Sequence, residues 1–249
     1  MGVGIIKHDD HEDDLMPEAK EILEKVRDGA PIRKVNNGGG SVIGFFPSWK
    51  SKKVLQFESL PEWLYAVCLE CDPHVLEYYD QPFRIPVVKQ GKRKEISSYH
   101  VPDWLVLTKS GLGLKEVKRL AKVQTDPRVT EVAEQARTWG AAKGLIYDVV
   151  TEENQPEKTE LENLRFLVEF RFAPRNLASV KYALLRIVDQ QPGITVFNLA
   201  KAGASTESDY RAVLPCVWHL IFTRELRIEL SQQVIQAGSE RTVRVNRTH

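Results

Sequence analysis

The sequence predicts an α/β fold in which a mixed sheet is flanked by helices and is followed by a mainly helical domain. Two apolar runs, 101–107 and 114–118, flank the glycine-containing segment 108–113, which favours an antiparallel hairpin. Predicted elements up to residue 150 follow in the order strand, strand, helix, four strands, helix, strand. This order is typical of a mixed sheet with helices packed on it. The polar, proline-containing segment 151–158 then precedes a stretch with helical periodicity.

The chain is expected to divide into three parts. Residues 1–35 are predicted to form an acidic tail and a short helix, because the first seventeen residues lack apolar periodicity. Residues 36–155 are predicted to form the sheet domain, and residues 160–249 the mainly helical domain.

Strands of the sheet domain are expected at 42–46, 54–57, 75–79, 83–88 and 145–150, besides the hairpin. One helix is expected to begin at residue 59 or 60 and to stop at Asp72 and Pro73. A second helix is expected from Asp126 to about residue 143, where Gly144 ends it.

The C-terminal domain is predicted to be winged-helix-like. Its expected helices lie at 177–190, 194–200 and 208–222, and its expected strands at 226–230 and 242–245, while 161–172 is compatible with a helix or a strand. The helix after the turn carries Glu207 and Asp209 near its start, and carboxylates repel DNA phosphates. Protein contact is therefore favoured over base reading, although Arg241, Arg244 and Arg247 could still reach a DNA backbone.

The hairpin brings three charged residues together. Asp103 opens its first strand, and Glu116 and Lys118 lie two positions apart in the second, so they point to the same side. Charged groups on an apolar sheet are costly unless they are paired or hold a cation, which makes a divalent metal site one interpretation. The alternative is structural: Asp103 caps a turn, Glu116 and Lys118 form an exposed ion pair, and Glu62 is a surface helix residue.

Pro102-Asp103 followed by Glu116-Val117-Lys118 also matches the pattern of the restriction-endonuclease-like superfamily, Pro-Asp…(Asp/Glu)-x-Lys. Upstream, a helix with Glu62, a Leu-Glu pair at its end, a strand and then Gln81-Pro82 complete a longer pattern. Over roughly residues 40–150 the sequence resembles the N-terminal nuclease domain of TnsA-type transposon endonucleases. The resemblance implies that Glu62, Asp103, Glu116 and Lys118 are the catalytic residues. Some members of that family carry glutamine at the position of Glu116.

On this resemblance the cofactor is expected to be Mg²⁺, with Mn²⁺ able to substitute, because the ligands are hard oxygens. Asp103, Glu116 and the carbonyl of Val117 would bind it, and Glu62 would complete the shell directly or through a water. Lys118 would lie beside the attacking water.

The resemblance implies an endonuclease that cuts the non-transferred 5′ strand of double-stranded DNA at transposon ends. Its partners would be a strand-transfer transposase subunit and an ATPase regulator, the latter engaged by the C-terminal domain. Two alternatives remain: a free-standing restriction-type or junction-resolving nuclease, and a non-catalytic module that binds DNA or protein.

Composition limits the other possibilities. A net charge of +1 over 249 residues excludes a strongly basic nucleic-acid-binding protein but not a DNA enzyme with local basic patches. The candidate DNA contacts are Lys50, Lys52, Lys53, Lys92, Arg93, Lys94 and Arg119, each of which could equally be an ordinary solvated residue. The acidic N-terminus and the lack of a long apolar run predict a cytoplasmic protein with no signal peptide and no membrane partner.

Overall fold

The structure is a computed structural model, and it describes residues 9–32, 42–90, 95–206, 209–236 and 238–248. The chain divides into two compact units, Met1–Gln155 and Pro156–His249. Within the described ranges, every helix is too short or too polar to span a lipid bilayer.

The first unit alternates strands and helices. Its elements are α1 (Asp9–Glu12), α2 (Pro17–Asp28), β1 (Gly44–Pro47), β2 (Val54–Phe57), α3 (Leu60–Cys71), β3 (Val75–Asp80), β4 (Ile85–Gln90), β5 (Glu95–His100), β6 (Trp104–Thr108), β7 (Gly111–Val117), α4 (Leu120–Thr125), α5 (Pro127–Ala141) and β8 (Ile146–Val150). These elements confirm a mixed α/β architecture with a sheet and flanking helices.

The main sheet has the order β3-β6-β7-β8. Its first pairs are antiparallel, whereas β7 and β8 run parallel because α5 carries the chain back between them. The hairpin expected from the sequence is β6-β7, but its turn is tighter than 108–113, since Thr108 already pairs with Gly111. The side pairs β1-β2 and β4-β5 are antiparallel hairpins.

Alternate residues of β6 point to opposite faces of the sheet and so meet different helices. Leu105 and Leu107 pack in a core with Leu23 of α2 and Ala133 of α5. On the other face, the ring of Trp104 makes an edge contact with Tyr78, whose hydroxyl donates to Glu70 of α3. Helices therefore cover both faces of the sheet, and they bury β6 almost completely.

The N-terminal segment belongs to this unit, which differs from the division made at residue 35. Ala19 and Leu23 of α2 lie in the sheet core. The guanidinium of Arg27 donates to both oxygens of Glu12 at 2.6 and 3.0 Å and to both oxygens of Glu77 at 2.8 Å. The ion pair draws Glu12, expected in a solvated tail, onto β3. The glycine-rich turn at 36–40 lies outside the described residues.

A buried carboxylate fixes α3 against the sheet. Glu70 is 1% exposed and accepts hydrogen bonds from the Ser48 hydroxyl at 2.8 Å, the Trp49 backbone N–H at 2.6 Å and the Tyr78 hydroxyl. These donors come from the β1-β2 loop and from β3. Because α3 also carries Glu62, this network sets the position of that helical glutamate relative to the sheet.

The second unit consists of α6 (Lys158–Leu167), a short 3₁₀ turn at Val168–Phe170, α7 (Leu177–Gln190), β9 (Ile194–Thr195), α8 (Val196–Ala202), α9 (Tyr210–Phe222), β10 (Leu226–Arg227), a 3₁₀ turn at Ser239–Arg241 and β11 (Arg244–Arg247). The strands form a small antiparallel sheet in the order β10-β11-β9. The helix expected at 194–200 is thus a short strand followed by α8. This division arises because the Thr195 side chain caps the N-terminus of α8, accepting from the Asn198 N–H at 3.2 Å.

The C-terminal half of α9 is enclosed by its own unit. All its residues from Cys216 to Phe222 are buried, and Trp218 packs against Phe166 and Phe170. A helix that is apolar on every side is an interior helix. The exposed part of α9 is therefore its first turn, around Arg211.

Replacing Glu70 by alanine should destabilise the first unit by about 3 kcal/mol, because the buried donors of Ser48, Trp49 and Tyr78 lose their acceptor. The measurement is the midpoint of thermal unfolding followed by tryptophan fluorescence. The exposed Glu134 on α5 provides the matched control, where alanine should change stability by less than about 0.5 kcal/mol. An equal response in the two variants would contradict the structural role of Glu70.

Candidate metal-dependent nuclease site

Asp103 lies immediately before β6 at one end of the sheet. Its Oδ2 accepts a hydrogen bond of 2.7 Å from the backbone N–H of Val117 on the neighbouring strand. Its own carbonyl accepts from the Gln81 N–H at 2.9 Å, which ties the same segment to the end of β3. The position of the carboxylate is thus set by backbone contacts on both sides.

Glu116 and Lys118 lie at the end of β7 and immediately after it, next to Asp103. The Lys118 Nζ contacts Glu116 Oε1, lies 3.6 Å from Asp103 Oδ2 and donates to the Val117 carbonyl at 3.1 Å. The ammonium therefore sits among three oxygens from the two strand ends. The structure brings Asp103, Glu116, Val117 and Lys118 together as the sequence predicted, and their roles in catalysis stay predictions.

Burial of like charges perturbs this cluster. Burial, reinforced by the charge of Glu116, raises the pKa of Asp103 to about 7. Burial also raises the pKa of Glu116. Burial acts to lower the pKa of Lys118, but the charges of Asp103 and Glu116 outweigh it, so the pKa of the ammonium is raised. The lysine stays charged and offsets part of the cost of confining two carboxylates.

Glu62 lies near this cluster but its oxygens are engaged elsewhere. Its Oε2 accepts from the Glu58 N–H at 2.8 Å and its Oε1 from the Ser59 hydroxyl at 2.8 Å, while the Ser59 hydroxyl accepts from the Glu62 N–H at 3.3 Å. The Ser59 hydroxyl therefore caps the N-terminus of α3, and the Glu62 carboxylate binds the backbone and the side chain of the two residues that precede the helix. Burial, followed by the charge of Asp103, raises the pKa of Glu62. Glu62 therefore feels Asp103 electrostatically while its oxygens bind the segment before α3.

The donor set fits a hard divalent cation. Glu116 Oε2 is buried, and the described ranges offer it no hydrogen-bond partner. Asp103, Glu116 and the Val117 carbonyl supply oxygens around the Lys118 ammonium. Among the described residues, no group of three or more His, Cys, Asp or Glu side chains is placed to hold a metal. Two carboxylates and a carbonyl still suit Mg²⁺, which usually keeps several waters and binds only one or two protein carboxylates.

Two further side chains reach the cluster that the sequence did not assign to it. His100, at the end of β5, places Nε2 3.4 Å from Glu116 Oε2 and 2.9 Å from the hydroxyl of Tyr147 on β8. Neither residue was among those predicted to form the site. The proximity of His100 to Asp103 in sequence was the available signal, whereas Tyr147 comes from a strand whose pairing with β7 the sequence left unspecified.

The candidate DNA contacts differ in their surroundings. Lys50 donates to the carbonyls of Leu69 and Asp72 at the C-terminus of α3, and Lys53 donates to the Gly29 carbonyl at 3.0 Å after α2. Both therefore neutralise helix ends. The Lys52 ammonium lies 4.3 Å from the centre of the Trp49 ring, and Arg119 is exposed directly after Lys118. Lys92, Arg93 and Lys94 lie outside the described residues, and none of these positions is tested as a DNA contact.

Residues 72–152 match the family model described as TnsA-like endonuclease N terminal. This segment is similar to a TnsA-like endonuclease N-terminal domain. The match confirms the resemblance to TnsA-type transposon endonucleases and indicates a transposon-related nuclease. It includes Asp103, Glu116 and Lys118, while Glu62 and the whole second unit lie outside it. No curated protein matches the chain significantly.

The stability of the metal-free protein should depend on pH through Asp103. A carboxyl pKa raised from about 3.9 in the unfolded chain to about 7 contributes stability that is fully present below about pH 4 and is lost as the pH rises through about 7. In buffer with a chelator, Asp103→Asn should therefore gain melting temperature relative to the parent between about pH 5 and pH 8. Asparagine keeps an acceptor for the Val117 N–H.

Asp126→Asn is the control for this comparison. The ion pair with Arg128 lowers the pKa of Asp126, so that its titration is complete below this pH window. Its melting temperature should run parallel to that of the parent. A difference between Asp103→Asn and the parent that does not change with pH would show that Asp103 is not confined with Glu116.

Proposed function

We propose that this chain is a Mg²⁺-dependent DNA endonuclease that cuts the non-transferred 5′ strand at transposon ends as the TnsA-type subunit of a heteromeric transposase. The observation that carries the proposal is the convergence of Asp103, Glu116, Lys118 and the Val117 carbonyl at one end of the sheet, inside the segment that matches the family. The proposal places the protein in the cytoplasm, with Mn²⁺ able to replace Mg²⁺.

The architecture supports the finer fold assignments. A mixed sheet with Asp103 at the start of β6 and Glu116 and Lys118 at the end of β7 is the arrangement expected of a restriction-endonuclease-like domain. In the second unit the chain runs through α7, β9, α8, α9, β10 and β11, and the three strands form a sheet in the order β10-β11-β9. This arrangement supports a winged-helix-like domain.

Each residue of the site has a distinct task. Asp103 and Glu116 would hold the cation together with the Val117 carbonyl, and Glu62 would join them through a water while it keeps its hydrogen bonds at the start of α3. A bound Mg²⁺ supplies Lewis-acid polarisation of the scissile phosphate and activation of water. Lys118, once its ammonium leaves the three oxygens, lies close enough to stabilise negative charge that develops on the phosphate.

The DNA and protein partners are assigned to different surfaces. Arg119 and Lys122 are exposed beside the site, and their positive charges suit contact with the phosphate backbone. In the second unit the C-terminal half of α9 is buried, whereas Asp209 and Arg211 at its start are exposed. That surface has little capacity to read bases, which supports contact with an ATPase regulator as the main role of this unit, alongside a strand-transfer transposase partner for the nuclease.

Glu62 has two roles under this proposal, and a pair of variants separates them. Ser59→Ala removes the N-cap hydroxyl and should lower stability by about 1 kcal/mol while cleavage by the folded protein is retained. Glu62→Gln keeps an amide oxygen that can accept from the Glu58 N–H, so its stability should change little, but loss of the charge should reduce cleavage at least tenfold. Thermal melting and Mg²⁺-dependent nicking of element ends are the measurements. Full cleavage by Glu62→Gln would restrict Glu62 to its hydrogen bonds at the start of α3.

The transposition role is tested by excision from a donor plasmid with all partner components present. Asp103→Asn should abolish cutting of the 5′ strand and leave strand joining intact, so that products become cointegrates. The variant keeps the acceptor for Val117 and should still fold, as melting in the presence of a chelator would verify. Efficient sequence-specific cutting by the isolated chain would favour the free-standing nuclease, and unchanged excision products with Asp103→Asn would favour the non-catalytic module.

A further inference from the structure

One oxygen of the site lacks a hydrogen bond although it is buried. Glu116 Oε1 contacts the Lys118 ammonium, whereas Glu116 Oε2 has no hydrogen-bond partner within the part of the chain that the structure describes. A buried carboxylate oxygen without a donor costs free energy and leaves the carboxylate free to rotate about its terminal bond. The group that faces Oε2 therefore determines how firmly the Glu116 carboxylate is held and where Oε1 points.

His100 faces this oxygen from a strand outside the main sheet. Its Nε2 is 3.4 Å from Glu116 Oε2, longer than a formed hydrogen bond but reached by a small rotation of either side chain. The side chains of His100 and Glu116 are 12% and 9% exposed, so bulk water does not compete for the contact.

Tyr147 holds the imidazole in this orientation. Its hydroxyl lies 2.9 Å from His100 Nε2, and the two rings make an edge contact with centroids 5.8 Å apart. The same nitrogen thus faces a hydroxyl, which can accept or donate, and a carboxylate, which only accepts. A proton on Nε2 suits both neighbours, because the N–H can be shared between two acceptors, the Tyr147 hydroxyl oxygen and Glu116 Oε2.

We propose that His100, oriented by Tyr147, is a positioning residue for Glu116. By donating from Nε2 to Glu116 Oε2, it directs Oε1 to the place that the Lys118 ammonium occupies beside Asp103. The inference rests on the proposed function, because that place is the cation site of the proposed nuclease. His100 would contact the Glu116 oxygen that does not bind the cation. Contacts of this kind orient metal-binding carboxylates, and their loss commonly changes metal affinity by about 10–100-fold.

The test is calorimetric titration of the full-length protein with Mn²⁺, with Mg²⁺-dependent nicking as a second readout. His100→Ala should weaken Mn²⁺ binding by about 10–100-fold. His100→Gln should restore binding to within a few-fold of the parent, because the glutamine amide places a donor near the position of Nε2. His100→Asn is the matched control, since its shorter amide mimics Nδ1 and should not restore binding. Tyr147→Phe keeps the ring and should cause a smaller loss.

The outcomes separate this inference from the proposed function. If the parent binds Mn²⁺, Asp103→Asn abolishes binding and His100→Ala binds like the parent, the positioning role is overturned and the proposed nuclease stands. If the parent binds no Mn²⁺, the proposed nuclease fails and the inference falls with it. Equal losses for folded His100→Ala, His100→Gln and His100→Asn would reveal a packing role and overturn the inference, whereas rescue by glutamine alone supports it.

Discussion

The site depends on the confinement of two carboxylates at the end of a buried hairpin. Asp103 lies immediately before β6 and Glu116 near the end of the neighbouring β7, and the apolar side chains of both strands are almost fully buried. Each isolated charge there would cost several kcal/mol. The Val117 N–H binds Asp103 Oδ2, and the Lys118 ammonium lies near that oxygen and contacts Glu116 Oε1, so both donors reduce this cost. The local charge balance is therefore part of the fold as well as of the chemistry.

That arrangement requires one register between β6 and β7. A shift by a single residue would turn Leu105 and Leu107 away from α2 and α5 and would move Glu116 and Lys118 to the opposite face. On the other face of the sheet, such a shift would also separate Trp104 from Tyr78. The packing of apolar residues thus specifies where the charged residues meet.

The sequence predicts the centre of this site well, for a physical reason. Asp103, Glu116 and Lys118 belong to one hairpin, and strand alternation alone places Glu116 and Lys118 on the same side. The role of Glu62 was harder to predict, because local hydrogen bonds from the Glu58 N–H and the Ser59 hydroxyl at the start of α3 occupy both of its oxygens. The tight β6-β7 turn and the division at Thr195 likewise follow from local hydrogen bonds that apolar periodicity does not register.

Contacts between distant segments were the ones that the sequence could not supply. His100 and Tyr147 meet Glu116 only because β8 returns parallel to β7 and β5 ends beside the same cluster. Lys50 and Lys53 resemble phosphate-binding lysines in the sequence, yet their loop directs each ammonium to the C-terminus of a helix. In both cases the outcome depends on where the tertiary structure points each side chain, and residue type and spacing do not determine that.

The metal-free arrangement has a consequence for how a cation would bind. Lys118 already offsets part of the negative charge of Asp103 and Glu116 in the metal-free fold. In the proposed nuclease a divalent cation would have to displace that ammonium from the oxygens, and the free energy of displacement would be subtracted from the affinity for the cation. The displaced ammonium then has no carboxylate as near as before, and a DNA phosphate offers it a new partner. In the proposed nuclease, cation and DNA would therefore favour each other's binding at this site.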